Sequence, residues 1–406
     1  MTVTLPVAPL YPEIDFPEDA GLSELPNLFA PEWVWATFCR EYGRPEYDPH
    51  QIRIRQFSHS LGRSAIISYE VEWHPDDYLP TQHFTVMIDR NEPAQVFQYP
   101  DDPLLPGLGE ASHPETALRL LNKHVLAVGA RRARVEVIRY RPGSRAVLRH
   151  SVGRIRFYAR VMRPSTVAPL LAAREPIGRS SFVLPRLAGH WSEGGVVWVS
   201  EIPGKNLRRH IRRGSTPDAE PLLEGLQTLW AQTFVAPGVR PFNLAGAYDS
   251  AKRTFRHKVH QGDATWRSLD EATRVLDPFV KSWRPVSLAH NDFYDDQLLV
   301  LPDGRMALVD FEEVGQGDPM LDVGNFLAHL RWRSRLGRQR DYDASAPFYD
   351  SFRDEALQRF RWNASELALR EAVCLFRICT NTIRHPQSDW RAKLETGLAL
   401  VNETLG

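Results

Sequence analysis

The chain has 406 residues, 43% hydrophobic and 25% charged, which is the composition of a folded globular protein with room for two or three domains. Its 50 Lys and Arg residues balance its 50 Asp and Glu residues, which excludes a global charge that would draw it to nucleic acid or to an anionic membrane. Cys39, Cys374 and Cys379 are too few and wrongly spaced for a disulfide framework or a zinc site.

The sequence also argues against a membrane protein. It has no uninterrupted run of about eighteen apolar residues, and its opening, MTVTLPVAPLYPEIDF, has neither a basic start nor a long apolar core. These features predict a cytoplasmic protein with no membrane partner and no nucleic-acid partner. The sequence leaves the oligomeric state open.

The N-terminal third is predicted to be mostly β. The first 30 residues are rich in Pro and acidic groups and are expected to form an extended arm. Residues 50 to 90 alternate apolar and polar side chains around a Gly, which predicts antiparallel strands joined by a turn. A helix is predicted over 115–129, where apolar residues recur at helical spacing up to Gly129.

The strand pattern then returns at residues 135–164, and it suggests that one strand-turn-strand-strand unit is used twice. The aligned pairs are Gly62 with Gly143, Tyr69 with His150, Val71 with Val152, and Phe84 with Phe157. This internal repeat is weak. The alternative is that any two β-hairpins with a Gly turn look alike.

A third strand pair at residues 182–204 crosses a Gly-Gly turn and ends at Pro203-Gly204, a natural hinge. Beyond it, helical spacing of apolar residues predicts helices near 216–235, 265–283, 345–361 and 364–384. The predicted fold is therefore α+β, with a β-rich half followed by a mainly helical half.

The stretch LAHNDFYDDQLLVLPDGRMALVDF interrupts the helical half and reads as a short buried hairpin. Asp292 lies before its first strand, Gln297 at the start of that strand, and Asp310 at the end of the next. Because burying a lone carboxylate costs several kcal/mol, such a group of side chains needs a cation or a hydrogen-bond network. Oxygen ligands of this kind suit Mg²⁺.

The stretch resembles the aminoglycoside phosphotransferase and choline kinase group of small-molecule kinases, whose loop reads H-x-D-x-x-x-x-N. His290, Asp292, Asp310, Phe311 and the following GDPMLDVGNF match that pattern. Gln297 stands where the loop Asn is expected, and members of the broader phosphotransferase enzyme family look similar in carrying H-x-D-F-Y-x-x-Q. The resemblance covers about residues 130 to 385.

The resemblance implies a role for each of these side chains. Asp292 would orient or deprotonate the substrate hydroxyl, and His290 would order the loop. Asp310 and Gln297 would hold Mg²⁺ on the nucleotide phosphates, with Glu312 able to approach the metal. The alternative is a structural hairpin whose Asp residues cap helices or bind backbone.

Four neighbouring acids are not expected to take part in the chemistry. Asp295 and Asp296 are predicted to decorate an exposed turn. Asp318 is expected to cap the following helix, and Asp322 to fix the catalytic loop by accepting its hydrogen bonds.

On the nucleotide side, the resemblance makes RYRPGSRAVLRH the phosphate-covering turn, with N–H groups from Gly143 and Ser144. The alternative for this segment is a plain hairpin turn, and Arg145 is an alternative to Arg160 as the cation that serves the phosphates. Arg160 occupies the family's Lys position and would bind phosphate with two parallel hydrogen bonds. The alternative interpretation is that Arg160 is a solvent-exposed charge on the strand.

The segment VVWVSEIPGKNL would link two lobes, and the backbone of Ser200 to Ile202, including Glu201, would face the adenine edge.

The resulting hypothesis is a bilobal protein kinase-like fold with three parts. Residues 1–125 form an N-terminal arm and first β subdomain, 126–203 the nucleotide-binding N-lobe, and 204–406 the helical C-lobe. ATP and Mg²⁺ would bind in the cleft between the lobes, and the γ-phosphoryl would pass to a hydroxyl of a sugar, an aminoglycoside or an amino alcohol. Asp341, Asp343, Asp350 and Glu355 either favour a cationic ligand or form an exposed helical face.

Two other functions compete with this one. Arg160 and Gln297 replace expected groups, which favours a pseudokinase that binds nucleotide or a partner without turnover. A metal-dependent hydrolase fits less well, since the sequence has no H-E-x-x-H and no His-rich ligand set.

Overall fold

The computed structural model describes residues 19–42, 49–125, 131–215, 217–232, 241–259, 262–336, 339–384 and 389–406. The chain divides into two compact units. Unit 1 comprises Met1–Pro164, Ala188–Val199 and Thr382–Trp390, and unit 2 comprises Ser165–Leu187, Ser200–Asn381 and Arg391–Gly406. The predicted three-part division at residues 125 and 203 stays a prediction.

Unit 1 begins with an antiparallel sheet of four strands in sequence order: β1 (Pro49–Ser60), β2 (Ser64–Trp73), β3 (Gln82–Asp89) and β4 (Glu92–Phe97). Helix α1 (Pro31–Tyr42) packs on this sheet, and the rings of Phe38 and Phe84 lie 5.2 Å apart. Alternate residues of β2 are fully buried, as expected for a strand with one face on a core.

A second sheet follows in unit 1, with strand order β5-β6-β7-β9-β8. Its strands are β5 (Arg134–Arg141), β6 (Arg145–Val152), β7 (Ile155–Met162), β8 (Leu187–Trp191) and β9 (Val196–Ser200). Helices α2 (Leu108–Ser112) and α3 (Pro114–His124) share a hydrophobic core with this sheet, with Leu108, Leu121 and Trp198 fully buried.

The turns of the two sheets are built in the same way. Gly62 and Gly143 have φ of 66° and 67°, a left-handed conformation that favours glycine. An Asp carboxylate accepts each glycine N–H: Asp19 from Gly62 at 2.8 Å and Asp102 from Gly143 at 2.7 Å. The equivalence of the two glycines, predicted from the weak repeat, is confirmed.

The cores of the two sheets repeat as well. Tyr69 donates its hydroxyl to the carbonyl of Leu28 at 2.6 Å, and His150 donates Nε2–H to the carbonyl of Ala111 at 2.8 Å. Tyr69 pairs with Phe84 across its sheet, and His150 pairs with Phe157 across the other. Since short β patterns alone do not fix such long-range contacts, the structure supports a duplicated unit.

Unit 2 contains two small sheets. Strands β10 (Lys205–Asn206), β12 (Leu298–Val300) and β13 (Met306–Leu308) form one, and β11 (Ser287–Ala289) pairs with β14 (Gly315–Gly317) in the other. The predicted hairpin at 298–308 is therefore confirmed.

The other described elements of unit 2 are helices, and none of the described helices is long and apolar enough to cross a membrane. The helices are α4 (Val167–Gly178), α5 (Leu207–Ile211), α6 (Glu220–Trp230), α7 (Leu244–Lys258), α8 (Ala264–Ser282), α9 (Pro319–Leu336), α10 (Gln339–Phe360), α11 (Ala364–Arg384) and α12 (Trp390–Leu405). The last turn of α11 and the first residue of α12 fall in unit 1.

The helices predicted at 265–283 and 364–384 are confirmed by α8 and α11. Residues 1–18 of the predicted extended arm lie outside the described residues. The rest of that arm is not extended, since Leu25–Phe29 forms a 3₁₀ turn whose Leu25 and Leu28 are buried.

Candidate active site

The hairpin of β12 and β13 brings Gln297 and Asp310 to the same end of two neighbouring strands. Gly304 allows the tight turn with a φ of 83°, and its N–H donates to the Leu301 carbonyl at 3.0 Å. The Gln297 carbonyl accepts the N–H of Val309 at 3.0 Å, which extends the pairing to the residue before Asp310.

The loop that carries Asp292 is anchored from α9 by Asp322. Its buried carboxylate accepts the N–H groups of His290 and Asn291, both at 2.7 Å, and the indole N–H of Trp230 at 2.9 Å. Asn291 has a φ of 66°, so the loop turns sharply just before Asp292. The predicted loop-fixing role of Asp322 is confirmed.

Asp318 behaves as predicted too. Its Oδ1 accepts the N–H of Met320 at 2.9 Å at the start of α9, and its Oδ2 accepts from Arg370 at 3.0 Å. This carboxylate is a helix cap.

His290 joins the loop to the strand that carries Asp310. Its Nε2 lies 2.7 Å from the Asp310 carbonyl, which fixes the tautomer because a carbonyl only accepts. Burial lowers the pKa of the His290 imidazole to about 4, so the ring is neutral near pH 7.

Asp292 is half-buried and has one oxygen available. Gln297 donates Nε2–H to its Oδ2 at 3.2 Å, while Oδ1 accepts no hydrogen bond from the described residues. Burial raises the pKa of Asp292 to about 7, Asp310 and Glu313 add to the rise, and Arg377 opposes it. A carboxyl with such a pKa and an open oxygen suits proton acceptance from a hydroxyl.

The side-chain amide of Gln297 has an oxygen that could bind a metal ion. Its Oε1 is shielded from solvent and has no hydrogen-bond partner among the described residues. An unsatisfied buried carbonyl oxygen on the hairpin that also bears the half-buried Asp310 fits Mg²⁺, which prefers oxygen ligands. No group of three or more His, Cys, Asp or Glu side chains in the described residues could hold a metal alone.

Glu312, also expected near a metal, is exposed. Its neighbour Glu313, which the sequence did not single out, joins Asp310 in raising the pKa of Asp292.

The prediction that Asp295 decorates an exposed turn is wrong. Asp295 is only 2% exposed and forms an ion pair with Arg333 of α9. The same guanidinium donates to Asp296 at 3.2 Å, and Arg208 of α5 donates to Asp296 at 2.9 Å. The Asp295 carboxylate can be buried because its ion pair offsets part of the free-energy cost that burial of a lone carboxylate carries.

The acids expected to attract a cationic ligand provide no acidic cluster among the described side chains. Asp350 is exposed and lies 3.9 Å from Arg353, and Glu355 accepts from Ser351 at 2.8 Å. The side chains of Asp341 and Asp343 lie outside the described residues.

The predicted phosphate ligands lie in unit 1. Arg160 is half-buried on β7, opposite Val147 of β6. In the turn, Gly143 donates its N–H to Asp102, and Ser144 donates its own to the Arg141 carbonyl at 3.0 Å. Phosphate binding by these two N–H groups would require them to leave those acceptors.

Arg145, at the start of β6, is half-buried. In unit 2, Glu201 and Ile202 are half-buried and precede β10, and the Ile202 carbonyl accepts the N–H of Gly204 at 2.8 Å.

Comparison with known proteins identifies a family whose model the chain matches. Residues 125–368 match the model of the phosphotransferase enzyme family. No curated protein matches the chain.

Several solved structures are similar to this chain at low sequence identity. A choline/ethanolamine kinase family protein from Mesorhizobium loti is 18% identical, with a TM-score of 0.50 over 72% of this chain and 94% of that one. The choline kinase LicA from Streptococcus pneumoniae is 12% identical, with a TM-score of 0.48 over 71% of this chain and 99% of that one. The aminoglycoside phosphotransferase APH(4)-Ia, as a thermostable mutant with AMP-PNP and hygromycin B, is 16% identical, with a TM-score of 0.48 over 71% of this chain and 97% of that one.

The similarity to the Mesorhizobium loti protein and the observed order of a β region followed by a helical region confirm the predicted α+β, protein kinase-like fold.

Proposed function

Since the chain belongs to the phosphotransferase enzyme family and is a small-molecule kinase, we propose that it transfers the γ-phosphoryl group of ATP to a hydroxyl of a small molecule with the help of Mg²⁺. The observation that carries the proposal is the pair formed by Asp292 and Gln297. One Asp292 oxygen is open to a substrate, and the unsatisfied Oε1 of Gln297 lies on the hairpin that bears Asp310.

Asp292 is the proposed catalytic residue. Its open Oδ1 accepts a hydrogen bond from the acceptor hydroxyl and orients that oxygen toward the γ-phosphorus. As the oxygen–phosphorus bond forms and the bond to ADP breaks, the hydroxyl proton passes to Asp292. His290 positions the loop for this step through its hydrogen bond to the Asp310 carbonyl.

Gln297 Oε1 and the Asp310 carboxylate are the proposed ligands of Mg²⁺, with Glu312 near enough in sequence to contribute. When bound, the ion neutralises charge on the nucleotide phosphates. Two protein oxygens are a reasonable number, because Mg²⁺ in kinases completes its shell with phosphate oxygens and water.

The nucleotide contacts proposed in unit 1 are Arg160 and the turn of Gly143, Ser144 and Arg145. Arg160 keeps its charge at any physiological pH and offers two parallel donors. The backbone of Glu201 and Ile202 is the proposed adenine contact in unit 2. The proposed setting is the cytoplasm, where ATP is available.

A nucleotide-binding pseudokinase is the second candidate. The N–H groups of Gly143 and Ser144 already have protein acceptors, which favours a turn that does not close on phosphate.

Turnover separates the two functions. Purified protein with ATP and Mg²⁺ is screened for ADP release against sugars, amino alcohols and aminoglycosides. We expect Asp292→Asn to lower kcat about 100-fold or more, since the amide cannot accept the proton. Asp303→Asn makes the same change on the exposed hairpin turn and is expected to leave kcat unaltered. ATP binding without ADP release for any acceptor rules the proposal out in favour of the pseudokinase. Equal kcat for the two variants shows that Asp292 is not the catalytic residue.

A further inference from the structure

The short helix α5 and the residues that follow it place four arginines around one cavity. The cavity has a volume of about 550 Å³ and is lined by Asn206, Arg208, Arg209, Arg212, Arg213 and Asp296. The N–H of Arg212 donates to the Arg208 carbonyl at 3.0 Å, so the helical turn continues past the last residue of α5. Side chains four residues apart therefore lie side by side, and we call this cavity the arginine pocket.

The acids beside the arginine pocket already have cationic partners. Asp296 accepts from Arg208 at 2.9 Å and from Arg333 of α9 at 3.2 Å. Asp295, the residue before it, forms an ion pair with the same Arg333. These two carboxylates therefore do not neutralise the rest of the arginines.

Two arginines of the pocket have no protein partner in the described part of the chain. The side chains of Arg209 and Arg213 are exposed and make no hydrogen bond or ion pair with any described residue. Exposed arginines elsewhere in unit 2 do have such partners: Arg274 lies 3.9 Å from an Asp carboxylate and Arg335 lies 3.4 Å from a Glu carboxylate. The arginine pocket thus offers guanidinium groups that an anion can bind.

The residue type and the size of the cavity indicate which anion. Guanidinium groups that converge repel one another, and an anion between them relieves that repulsion. The planar fork of Arg matches phosphate oxygens with two parallel hydrogen bonds. The volume lies within the range of about 300 to 1,000 Å³ that is usual for small-molecule pockets. A nucleic acid fits less well, because the 50 Lys and Arg residues are balanced by 50 Asp and Glu residues.

We propose that the arginine pocket is a binding site for the phosphate group of a small molecule. None of its lining residues has a part in the proposed contacts with ATP, Mg²⁺ or the acceptor. The pocket nevertheless adjoins the proposed active site, since Asp296 directly precedes Gln297 and its carbonyl accepts a hydrogen bond from Asn206 at 3.0 Å.

The binding test uses inorganic pyrophosphate, which presents phosphate oxygens and no other chemistry. Isothermal titration calorimetry on the full-length protein gives its Kd, which we expect to be about 1 mM or tighter. Arg209→Gln combined with Arg213→Gln, the pocket variant, is expected to raise this Kd about 10- to 100-fold, because charged hydrogen bonds are lost. Its urea midpoint is expected to equal that of the wild type, since neither side chain has a described partner to lose.

The matched control is Arg274→Gln combined with Arg335→Gln, which removes the same charge from exposed positions on α8 and α9. Its Kd for pyrophosphate is expected to stay within about twofold of the wild type. Absence of wild-type binding, an unchanged Kd in the pocket variant, or equal changes in the two double variants overturns the proposal.

A DNA duplex of about 20 base pairs is the second probe. We expect it to bind more weakly than pyrophosphate. Tighter binding of the duplex, lost in the pocket variant, would assign these arginines to nucleic acid and overturn a small-molecule site.

Two sources can supply the phosphate: an acceptor that already carries one, or a separate effector. ADP release from ATP with glucose 6-phosphate, at a KM that rises in the pocket variant, identifies a phosphorylated acceptor. A change in ADP release from another acceptor when pyrophosphate is added, absent in the pocket variant, identifies an effector. Binding of pyrophosphate does not require turnover, so failure of this proposal and failure of the proposed kinase function are distinguishable.

Discussion

Asp292 and Asp322 are two carboxyl groups at one loop, and their partners differ. Burial raises the pKa of each to about 7. Asp322 accepts three N–H donors, whereas Asp292 accepts one and keeps Oδ1 open. The Asp322 carboxylate, whose two oxygens both accept hydrogen bonds, holds the loop in place. The Asp292 carboxylate has an oxygen that is open to a substrate.

The role of Asp322 predicts a loss of stability on removing one oxygen. Asp322→Asn places an NH₂ group against three fixed N–H donors, so at least one buried donor loses its acceptor. We expect the free energy of unfolding to fall by about 2 to 3 kcal/mol, measured by urea denaturation.

Asp270→Asn is the control, since Asp270 is exposed on α8 and lies 3.9 Å from Arg274. Its effect is expected to stay within about 0.5 kcal/mol. Equal unfolding midpoints for the two variants would remove Asp322 as an anchor.

At the residue scale, sequence predicts what local spacing controls. The roles of Asp318 and Asp322 follow from their positions at the start of α9. The burial of Asp295 does not, because its partner Arg333 lies 38 residues away.

At the element scale, each of the two sheets of unit 1 is tied to the helical turn that precedes it, but by a different side chain. The buried position that ties strand to preceding helical turn is Tyr69 in one sheet and His150 in the other. His150 also accepts the indole N–H of Trp198 at 3.2 Å on Nδ1, so both ring nitrogens are used in the neutral form. Burial lowers the pKa of His150 to about 4.

That lowered pKa predicts a pH dependence. Between pH 4 and 6.5 the unfolded chain binds a proton at His150 and the folded chain does not, so this contribution to stability is complete above pH 6.5 and is lost as the pH falls toward 4. From pH 7.5 to 5 the wild type should lose about 2 kcal/mol more unfolding free energy than His150→Gln. Glutamine can keep both hydrogen bonds without titrating.

The measurement is urea denaturation of both proteins at the two pH values, and the difference between their losses isolates His150 from other titrating groups. Identical losses in the two proteins would contradict a neutral, buried His150.

An element was predictable from the sequence where the residues that pair in it are close together along the chain. The hairpin of β12 and β13 was predictable because its pairing is local and its Pro-Asp-Gly-Arg turn is distinctive. The pairing of β11 with β14 and the helices α1, α4, α7 and α12 were not predicted. Local patterning alone did not fix these elements.

At the scale of the whole molecule, the chain is larger than the family match. Residues 125–368 match the family model, so the first sheet of unit 1, from β1 to β4, precedes it. Within unit 1 this sheet reaches the proposed phosphate turn. A Cβ built on Gly143 would lie 3.0 Å from Ile66 Cδ1 of β2 and 3.7 Å from Met87 Sδ of β3.

The kinase-like architecture could be predicted because one loop pattern, at residues 288–327, belongs to a recognisable group of enzymes. Its acceptor could not be predicted, because no short motif contains the side chains that would contact an acceptor.

The central claim is that Gln297 and Asp310 hold one magnesium ion beside Asp292. A crystal structure of the full-length protein with a non-hydrolysable ATP analogue and Mg²⁺ tests it directly. We expect the ion about 2.0 to 2.1 Å from Oε1 of Gln297 and from a carboxylate oxygen of Asp310. An ion held by other residues, with the Gln297 amide turned away from it, would show that this pair does not bind the metal.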